Sequence, residues 1–147
     1  MHYRTASPQD YETIIGVVDD WWGRFVSHAV PRLFLEHFYS TSFIVEDEGV
    51  IVGFLIGFLS PSDEQAAYIH FVGVDPKQRK LGIAAELYQR FFELASQDGR
   101  TRVNATTIPE NEVSIEFHRR MGFEVSEPIE GYNQPKRSHI LFTKYLT

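Results

Sequence analysis

The 147-residue sequence contains no cysteine. Disulfides, thiolate metal sites and a cysteine nucleophile are therefore excluded, and no metal is expected. The sequence also lacks the basic start followed by an apolar run that a secretory signal needs. Its hydrophobic segment GVIVGFLIGFL is too short for a membrane span and is broken by glycine. We therefore expect a soluble cytoplasmic protein that does not bind a membrane.

Basic residues are scarce as well. The 14 Lys and Arg residues are outnumbered by 20 Asp and Glu residues, which gives a formal net charge of −6. Nucleic-acid binding needs a clustered basic face, so a nucleic-acid partner is not expected. The length and the 43% hydrophobic content suit one well-buried core, so a single domain over residues 1–147 is predicted.

The hydrophobic pattern predicts a strand, two helices, three strands, a helix, a strand, a helix, and one or two final strands. The first helix is predicted to follow SPQD and to run to about Val18, with DDWWGRF breaking it at Gly23. A second short helix is predicted to begin near Pro31. The polar EDEG between two β-rich runs predicts a hairpin. Gly73 interrupts the strand AAYIHFVGV, which indicates a bulge or a close approach of another group. The order indicates an α/β layer that combines antiparallel hairpins with a strand–helix–strand crossover.

The segment VDPKQRKLGIAAELYQRF, residues 74–91, leads from a strand through a cationic loop into an amphipathic helix. A helix N-terminus offers free backbone N–H groups and the positive end of the helix dipole, and Gly82 and Ala84 keep the approach to it open. Lys77, Arg79 and Lys80 add full charges, so the loop suits an anion. The alternative is a solvated basic loop before a core helix. The spacing fits neither GxxxxGK[ST] nor GxGxxG.

The run YIHFVGVDPKQRKLGIA resembles the acyl-CoA loop of the GNAT N-acetyltransferase superfamily, whose [RQ]-x-x-G-x-[GA] signature is met by Arg79, Gly82 and Ala84. A second run, IPENEVSIEFHRRMGFE, is similar to a later motif of the same family. The resemblance covers nearly the whole chain. It implies a mixed α/β fold with a mostly antiparallel twisted sheet of six to seven strands, about four flanking helices, and a V-shaped splay between the central strands.

The resemblance implies that acetyl-CoA is the cosubstrate, with backbone amides from Arg79 to Ala84 holding its pyrophosphate. Main-chain groups of the preceding strand would pair with the pantetheine arm, with an amide near Val72 facing the thioester oxygen. Asn111 either caps its helix or contacts the pantetheine, and Phe117 either lines the channel or belongs to the core. The implied cofactor-binding residues are Phe71, Val72, Gly73, Val74, Arg79, Lys80, Leu81, Gly82, Ile83, Ala84, Asn111, Ser114, Phe117 and His118.

Amine acylation needs a neutral amine, a polarised thioester carbonyl and a proton for the departing thiolate. His118 stands where the family's usual general acid is a tyrosine, so it either handles the thiolate or packs against cofactor or core. His70 and Tyr68 lie two apart on the strand before the loop and share a face, so either is a candidate to relay a proton from the substrate. The alternative for His70 is a satisfied core residue.

The segment DDWWGRF lies between the first two predicted helices, the part of the fold that roofs the acceptor site in relatives. Its paired tryptophans beside Asp19 and Asp20 would receive a cationic amine, while Arg24 would suit an acidic group. The alternative is that the two tryptophans are buried and anchor the helices. The candidate acceptor-binding residues are Trp21, Trp22, Arg24 and Tyr132.

We therefore predict an N-acetyltransferase that moves an acetyl group from acetyl-CoA to a primary amine of a small molecule or peptide, by direct attack in a ternary complex. The alternative, suggested by His118, is a catalytically weak acyl-CoA-binding regulatory module. Transfer of a longer acyl chain is a third reading. The acceptor, the general base and the oligomeric state, a homodimer included, are left open.

Overall fold

The computed structural model describes residues 1–79 and 82–147. Within these residues there are four α-helices and eight strands. The helices are α1 (Tyr11–Trp22), α2 (Leu33–His37), α3 (Ile83–Gln97) and α4 (Glu112–Arg120). The strands are β1 (His2–Thr5), β2 (Phe43–Asp47), β3 (Val50–Leu59), β4 (Ala66–Val74), β5 (Arg102–Thr107), β6 (Glu124–Val125), β7 (Ile129–Glu130) and β8 (Ser138–Tyr145).

The chain divides into two compact units. The first comprises Met1–Phe58 and Ile69–Leu94, and the second comprises Leu59–Tyr68 and Ala95–Thr147. Strand β4 therefore contributes its first residues to the second unit and its remaining residues to the first. The single domain expected over residues 1–147 stays a prediction.

The first unit contains the N-terminal side of the sheet, in the order β1, β2, β3, β4. Strand β2 pairs antiparallel with β1 and with β3, and its register with β3 shifts between Val45 and Glu46. This confirms the predicted hairpin. Alternate residues of β2 and β3 face α1 and α2, which bury a shared apolar core. Its buried members are Ala6, Ile14, Val18, Val26, Val30, Leu35, Ile44, Phe54 and Ile56.

Helix α1 ends later than the sequence predicted, at Trp22 rather than near Val18. Its C-terminal cap is Gly23, which has a left-handed backbone with a φ of 73° and donates its N–H to the carbonyls of Asp19 and Asp20. A left-handed residue after the last turn is a common way to end a helix, and glycine adopts it without a Cβ penalty. The predicted end near Val18 was about one turn too early, whereas the break predicted at Gly23 is confirmed.

The second unit contains the other side of the sheet, in the order β4, β5, β8, β6, with β7 also paired to β8. Strands β4 and β5 are parallel, while β5, β6 and β7 each pair antiparallel with β8. The parallel pair confirms the predicted crossover through α3, and the mostly antiparallel sheet is confirmed. One or two final strands were predicted and only HILFTKYL was located, whereas three strands follow α4 in the described residues, because two-residue strands such as β6 and β7 are too short to show a period.

Candidate functional site

The loop before α3 ends at Gly82, which is exposed and has a left-handed φ of 73°. Its carbonyl accepts the first helical hydrogen bond, from Glu86 N–H at 3.0 Å. Among the described residues, no carbonyl accepts a hydrogen bond from the amides of Gly82, Ile83 or Ala84. Amides at the start of a helix carry the positive end of its dipole, so this turn suits an anion. The expectations for Lys80 and Leu81 lie outside the described residues.

Arg79 closes the described part of this loop on its N-terminal side, and its side chain is exposed. Its Nη2 donates a hydrogen bond of 3.1 Å to the backbone carbonyl of Trp21, in the last turn of α1. The predicted anion-binding cation is thus also in contact with the segment predicted to bind the acceptor.

The last part of β4, residues 71–74, leads directly into this loop. Gly73 is buried, and a Cβ placed on it would lie 2.6 Å from Cε1 of Phe54. Any larger residue would collide with that ring, so the close approach predicted at Gly73 is confirmed. The half-buried neighbours of Gly73 in this stretch are Phe71, Val72 and Val74.

The parallel ladder between β4 and β5 is short. It consists of the pairs Ala66–Arg102, Ala67–Val103 and Tyr68–Asn104, although β4 has nine residues and β5 has six. In the described residues the two strands are therefore not zipped along their full length. Full-length pairing would have left no edge of β4 for an extended ligand.

His70 is half-buried on β4, and its ring has a defined tautomer. Its Nε2 lies 2.7 Å from the carbonyl oxygen of Ala29, which only accepts hydrogen bonds, so Nε2 carries the proton and Nδ1 carries the lone pair. The ring also stacks on Phe34, with centroids 4.1 Å apart and an interplanar angle of 9°. Burial lowers the pKa of His70 below its ordinary value of 6.5, so the ring is neutral at pH 7.

Tyr68 lies in the part of β4 that belongs to the second unit, and its hydroxyl is 3.1 Å from Oγ1 of Thr106 on β5. Burial raises the pKa of Tyr68 above its ordinary value of 10.0. The phenol therefore stays protonated at neutral pH and can donate its proton.

His118 is buried in α4, with its ring stacked on Phe142 at a centroid distance of 3.9 Å and an angle of 8°. Nδ1 lies 2.7 Å from the carbonyl oxygen of Ser114, so Nδ1 carries the proton of the neutral ring and Nε2 the lone pair. Burial lowers the pKa of His118 to about 4, so few rings are protonated at pH 7. The packing alternative thus describes the observed contacts, and a role with the thiolate stays a prediction.

The start of α4 is capped by Asn111, whose Oδ1 accepts a hydrogen bond of 3.2 Å from Ser114 N–H. This is the capping alternative that the sequence left open, and it occupies the oxygen of the amide. Phe117 is half-buried and meets the ring of His118 edge-on, at 5.5 Å between centroids.

The predicted acceptor segment is built on aromatic contacts in the first unit. Trp21 stacks on Phe54 at 6.1 Å, and Trp22 packs against Phe71 of β4 at 5.2 Å. Both tryptophans are half-buried, which supports the anchoring alternative for their rings. The guanidinium of Arg24 lies over the ring of Trp22, 5.8 Å from its centroid.

The carboxylate of Asp19 is occupied by its own chain. Its Oδ1 accepts hydrogen bonds of 2.7 Å from the amides of Val26 and Ser27. The hydrogen bond from Val26 is the main cause of a lowered pKa at Asp19. This oxygen therefore organises the turn after α1, and the binding of an amine by Asp19 stays a prediction.

The structure sorts the predicted site residues between the two units. In the first unit, Trp22 packs against Phe71, which lies in the part of β4 that leads into the α3 loop. His70 of the same strand is hydrogen-bonded to Ala29 and stacked on Phe34. The second contains Tyr68, the α4 residues and Tyr132, which is exposed in the turn between β7 and β8. Sequence reasoning missed the residues that fix the three candidate proton carriers, namely Ala29, Phe34, Thr106 and Phe142. No motif marks them, since they act through a carbonyl, two rings and one hydroxyl.

None of the helices in the described ranges has the length and apolar character to cross a membrane. The family model for the GNAT acetyltransferases matches residues 10–123. The chain is 29% identical over 99 residues to the L-2,4-diaminobutyric acid acetyltransferase of Nocardia farcinica, covering 65% of this chain and 51% of that protein. It thus spans about half the length of the curated relatives it matches.

Two solved structures show the same fold. Ard1 from Thermoplasma volcanium superimposes with a TM-score of 0.81 at 19% identity, covering 99% of this chain and 97% of the other. YncA from Salmonella typhimurium, solved with its cofactor acetyl-CoA, gives a TM-score of 0.77 at 19% identity, covering 100% and 94%. With its fold, its α3 loop and a family match over most of its length, the chain belongs to the GNAT family of acetyltransferases.

Proposed function

We propose that the protein is an N-acetyltransferase that transfers an acetyl group from acetyl-CoA to a primary amine by direct attack in a ternary complex. The observation that carries the proposal is the course of β4. Its first three residues pair with β5, while residues 71–74 lie beyond that ladder and lead into the Gly82 turn and the N-terminus of α3. A strand edge followed by a helix N-terminus suits a ligand with an extended amide arm and a phosphate end.

The residues present fit such a cosubstrate. Gly82 is exposed with a left-handed backbone, and no carbonyl within residues 1–79 and 82–147 accepts a hydrogen bond from the amides of Ile83 or Ala84. Arg79 adds a full positive charge beside them. We assign the diphosphate to this turn and the pantetheine to the main chain of Val72 and Val74. Bound acetyl-CoA supplies the activated acetyl thioester, and the chain's own residues orient it and carry protons.

The proton balance of the reaction assigns roles to two side chains. A lysine-like amine has a pKa of ~10.4 and arrives protonated, so a base must take one proton before the nitrogen can attack the carbonyl carbon. We assign this step to His70, which is neutral and keeps its lone pair on Nδ1. Once the C–N bond has formed, the nitrogen releases its remaining surplus proton to solvent, from which the proton donor is later restored, and as the C–S bond breaks the thiolate gains a proton. We assign that donation to Tyr68, whose phenol is protonated at neutral pH.

The acceptor is proposed at the level of a class. Two of the curated relatives, from Nocardia farcinica and Halalkalibacterium halodurans, are named L-2,4-diaminobutyric acid acetyltransferases and are 29% and 31% identical to this chain. This supports a small molecule with a primary amine as the first acceptor to test. A peptide N-terminus or a lysine side chain remains in the same chemical class of nucleophile.

A substrate panel tests the proposal. Purified protein is mixed with acetyl-CoA and, in turn, with 2,4-diaminobutyrate, 1,3-diaminopropane, lysine, polyamines and short peptides, and the released CoA thiol is measured. We expect acetyl-dependent thiol release with at least one amine, and a loss of about 100-fold in His70→Gln. Binding of acetyl-CoA without thiol release from any amine would favour the regulatory module instead.

A further inference from the structure

The turn after α1 presents a cation, Arg24, and one oxygen of a carboxylate in the same segment, Asp19, is already bonded within the turn. Asp19 gives its Oδ1 to two backbone amides of the turn, each at 2.7 Å. Arg24 is exposed, and none of the ion pairs formed within residues 1–79 and 82–147 includes it. Arg24 therefore keeps its charge available for an acidic group, one of the two chemistries that the sequence left open for this segment.

The position of Arg24 is fixed relative to the proposed cosubstrate strand by two ring contacts. Its guanidinium lies 5.8 Å from the centroid of Trp22, and the ring of Trp22 lies 5.2 Å from the ring of Phe71. Phe71 directly precedes Val72, whose main chain we assign to the acyl arm. A cation near the face of an indole is attracted to the ring, and this contact uses none of the N–H groups of the guanidinium as hydrogen-bond donors. The two contacts link Arg24 through Trp22 to Phe71, the residue before the main chain that we assign to the acyl arm.

We infer that Arg24 is a specificity-determining residue that binds a carboxylate of the acceptor, so that the preferred substrates are small amines that also carry a carboxylate. This inference rests on the proposed function and names its substrate class. A guanidinium matches a carboxylate with two parallel N–H···O hydrogen bonds, which a lysine ammonium cannot reproduce. The amine end of the same molecule then points along β4 toward the base.

The matched pair of 2,4-diaminobutyrate and 1,3-diaminopropane tests the inference, because the two differ only by the carboxylate. In the wild type we expect a higher kcat/KM for 2,4-diaminobutyrate. Arg24→Gln is expected to lower kcat/KM for 2,4-diaminobutyrate by about 10- to 100-fold, mostly through KM, and to change it less than threefold for 1,3-diaminopropane. Arg24→Lys should recover only part of the loss.

Arg32→Gln is the control, since Arg32 is an exposed arginine of the same region that pairs with Glu12. An equal loss for both substrates in Arg24→Gln, or the same selective loss in Arg32→Gln, would overturn the inference while leaving the transferase intact. A wild type that acetylates 1,3-diaminopropane at least as well as 2,4-diaminobutyrate overturns it too. If the wild type releases no thiol with any amine of the panel, the proposed function itself fails.

Discussion

The guanidinium of Arg79 donates a hydrogen bond of 3.1 Å to the backbone carbonyl of Trp21. The last carbonyls of a helix lack partners within it, and Gly23 N–H serves only those of Asp19 and Asp20. Arg79 therefore satisfies the next carbonyl along the chain. The loop that we assign to the diphosphate thus also holds the C-terminal end of α1, next to the aromatic residues of the proposed acceptor segment.

A diphosphate at this loop should compete with the Trp21 carbonyl for Arg79, because a charged acceptor forms the stronger hydrogen bond. We expect CoA to change the tryptophan fluorescence of the protein on binding. Arg79→Gln should raise the Kd of CoA about tenfold and reduce this change. Titration of CoA while emission is monitored measures both, with Arg32→Gln as the control. An unchanged Kd in Arg79→Gln would remove Arg79 from the diphosphate site.

The pH dependence of turnover should report His70 as the base. Burial lowers its pKa below 6.5, so the base stays neutral and competent down to that lower pH, and activity falls only as pH drops through it. A profile of kcat/KM between pH 5 and pH 9 should show an acidic limb below pH 6.5. His70→Gln should lower kcat about 100-fold and abolish that limb. A limb that persists at the same pH in the variant would assign the base to another group.

The stability of the fold should depend on pH through His118. Its pKa is about 4 in the folded protein and near 6.5 when unfolded, so between these values the unfolded state binds the extra proton. Its contribution is therefore fully present above pH 6.5 and is lost as pH falls toward 4. We expect the free energy of unfolding to drop by about 2 kcal/mol between pH 7.5 and pH 5 through this group.

Urea unfolding of the wild type, His118→Phe and His37→Phe at both pH values measures this drop. Phenylalanine keeps a ring against Phe142 and cannot titrate, so the difference between the two pH values should shrink in His118→Phe. His37 is exposed, so its replacement is the control. An identical pH dependence in all three proteins would show that His118 is solvated in solution.

Gly57 of β3 is tightly packed, and its replacement should change the stability of the protein. A Cβ on Gly57 would lie 2.9 Å from Cζ of Phe91, whose side chain is fully buried in α3. Gly57→Ala should therefore destabilise the protein by about 1 to 3 kcal/mol. Gly16 in α1 has no heavy atom within 4 Å of such a Cβ, so Gly16→Ala should stabilise by about 1 kcal/mol instead. Thermal unfolding compares the two, and a stabilised Gly57→Ala would contradict the tight packing.

The sequence predicted helices and strands well where the hydrophobic pattern extended over enough residues to show its period. The hairpin of β2 and β3, the crossover from β4 to β5 and the close approach at Gly73 are all present. It placed the end of α1 about one turn too early although it named Gly23 as the break, and it did not locate strands of two residues, as in β6 and β7.

Motif reasoning located the candidate site residues but left their protonation states open. The pair FH in the second motif drew attention to His118, yet the stack on Phe142 and the bond to Ser114 depend on packing across the fold. Likewise, the carbonyl of Ala29 sets the tautomer of His70 although 41 residues separate them. Contacts between distant residues carry no local signal, so these states could only be read from the structure.

Tyr68 and His118 differ in their ability to donate a proton to the leaving thiolate. Tyr68 is protonated at pH 7.5, because burial raises its pKa above 10.0. The neutral ring of His118 donates its Nδ1–H in a hydrogen bond to the Ser114 carbonyl, and its Nε2 carries a lone pair. We therefore expect Tyr68→Phe to lower kcat about 10- to 100-fold at pH 7.5, and His118→Phe to lower it less.

Steady-state kinetics with acetyl-CoA and the best acceptor of the panel measures this difference, and Thr106→Val is the matched control. This substitution removes the hydroxyl that lies 3.1 Å from the Tyr68 phenol while leaving the phenol in place, so kcat should change by only a few fold. A Tyr68→Phe enzyme with wild-type kcat, together with a strongly impaired His118→Phe enzyme, would reverse the two roles. The burial of His118 would then have to be relieved when acetyl-CoA binds, because a ring with a pKa of about 4 is a poor proton donor at pH 7.5.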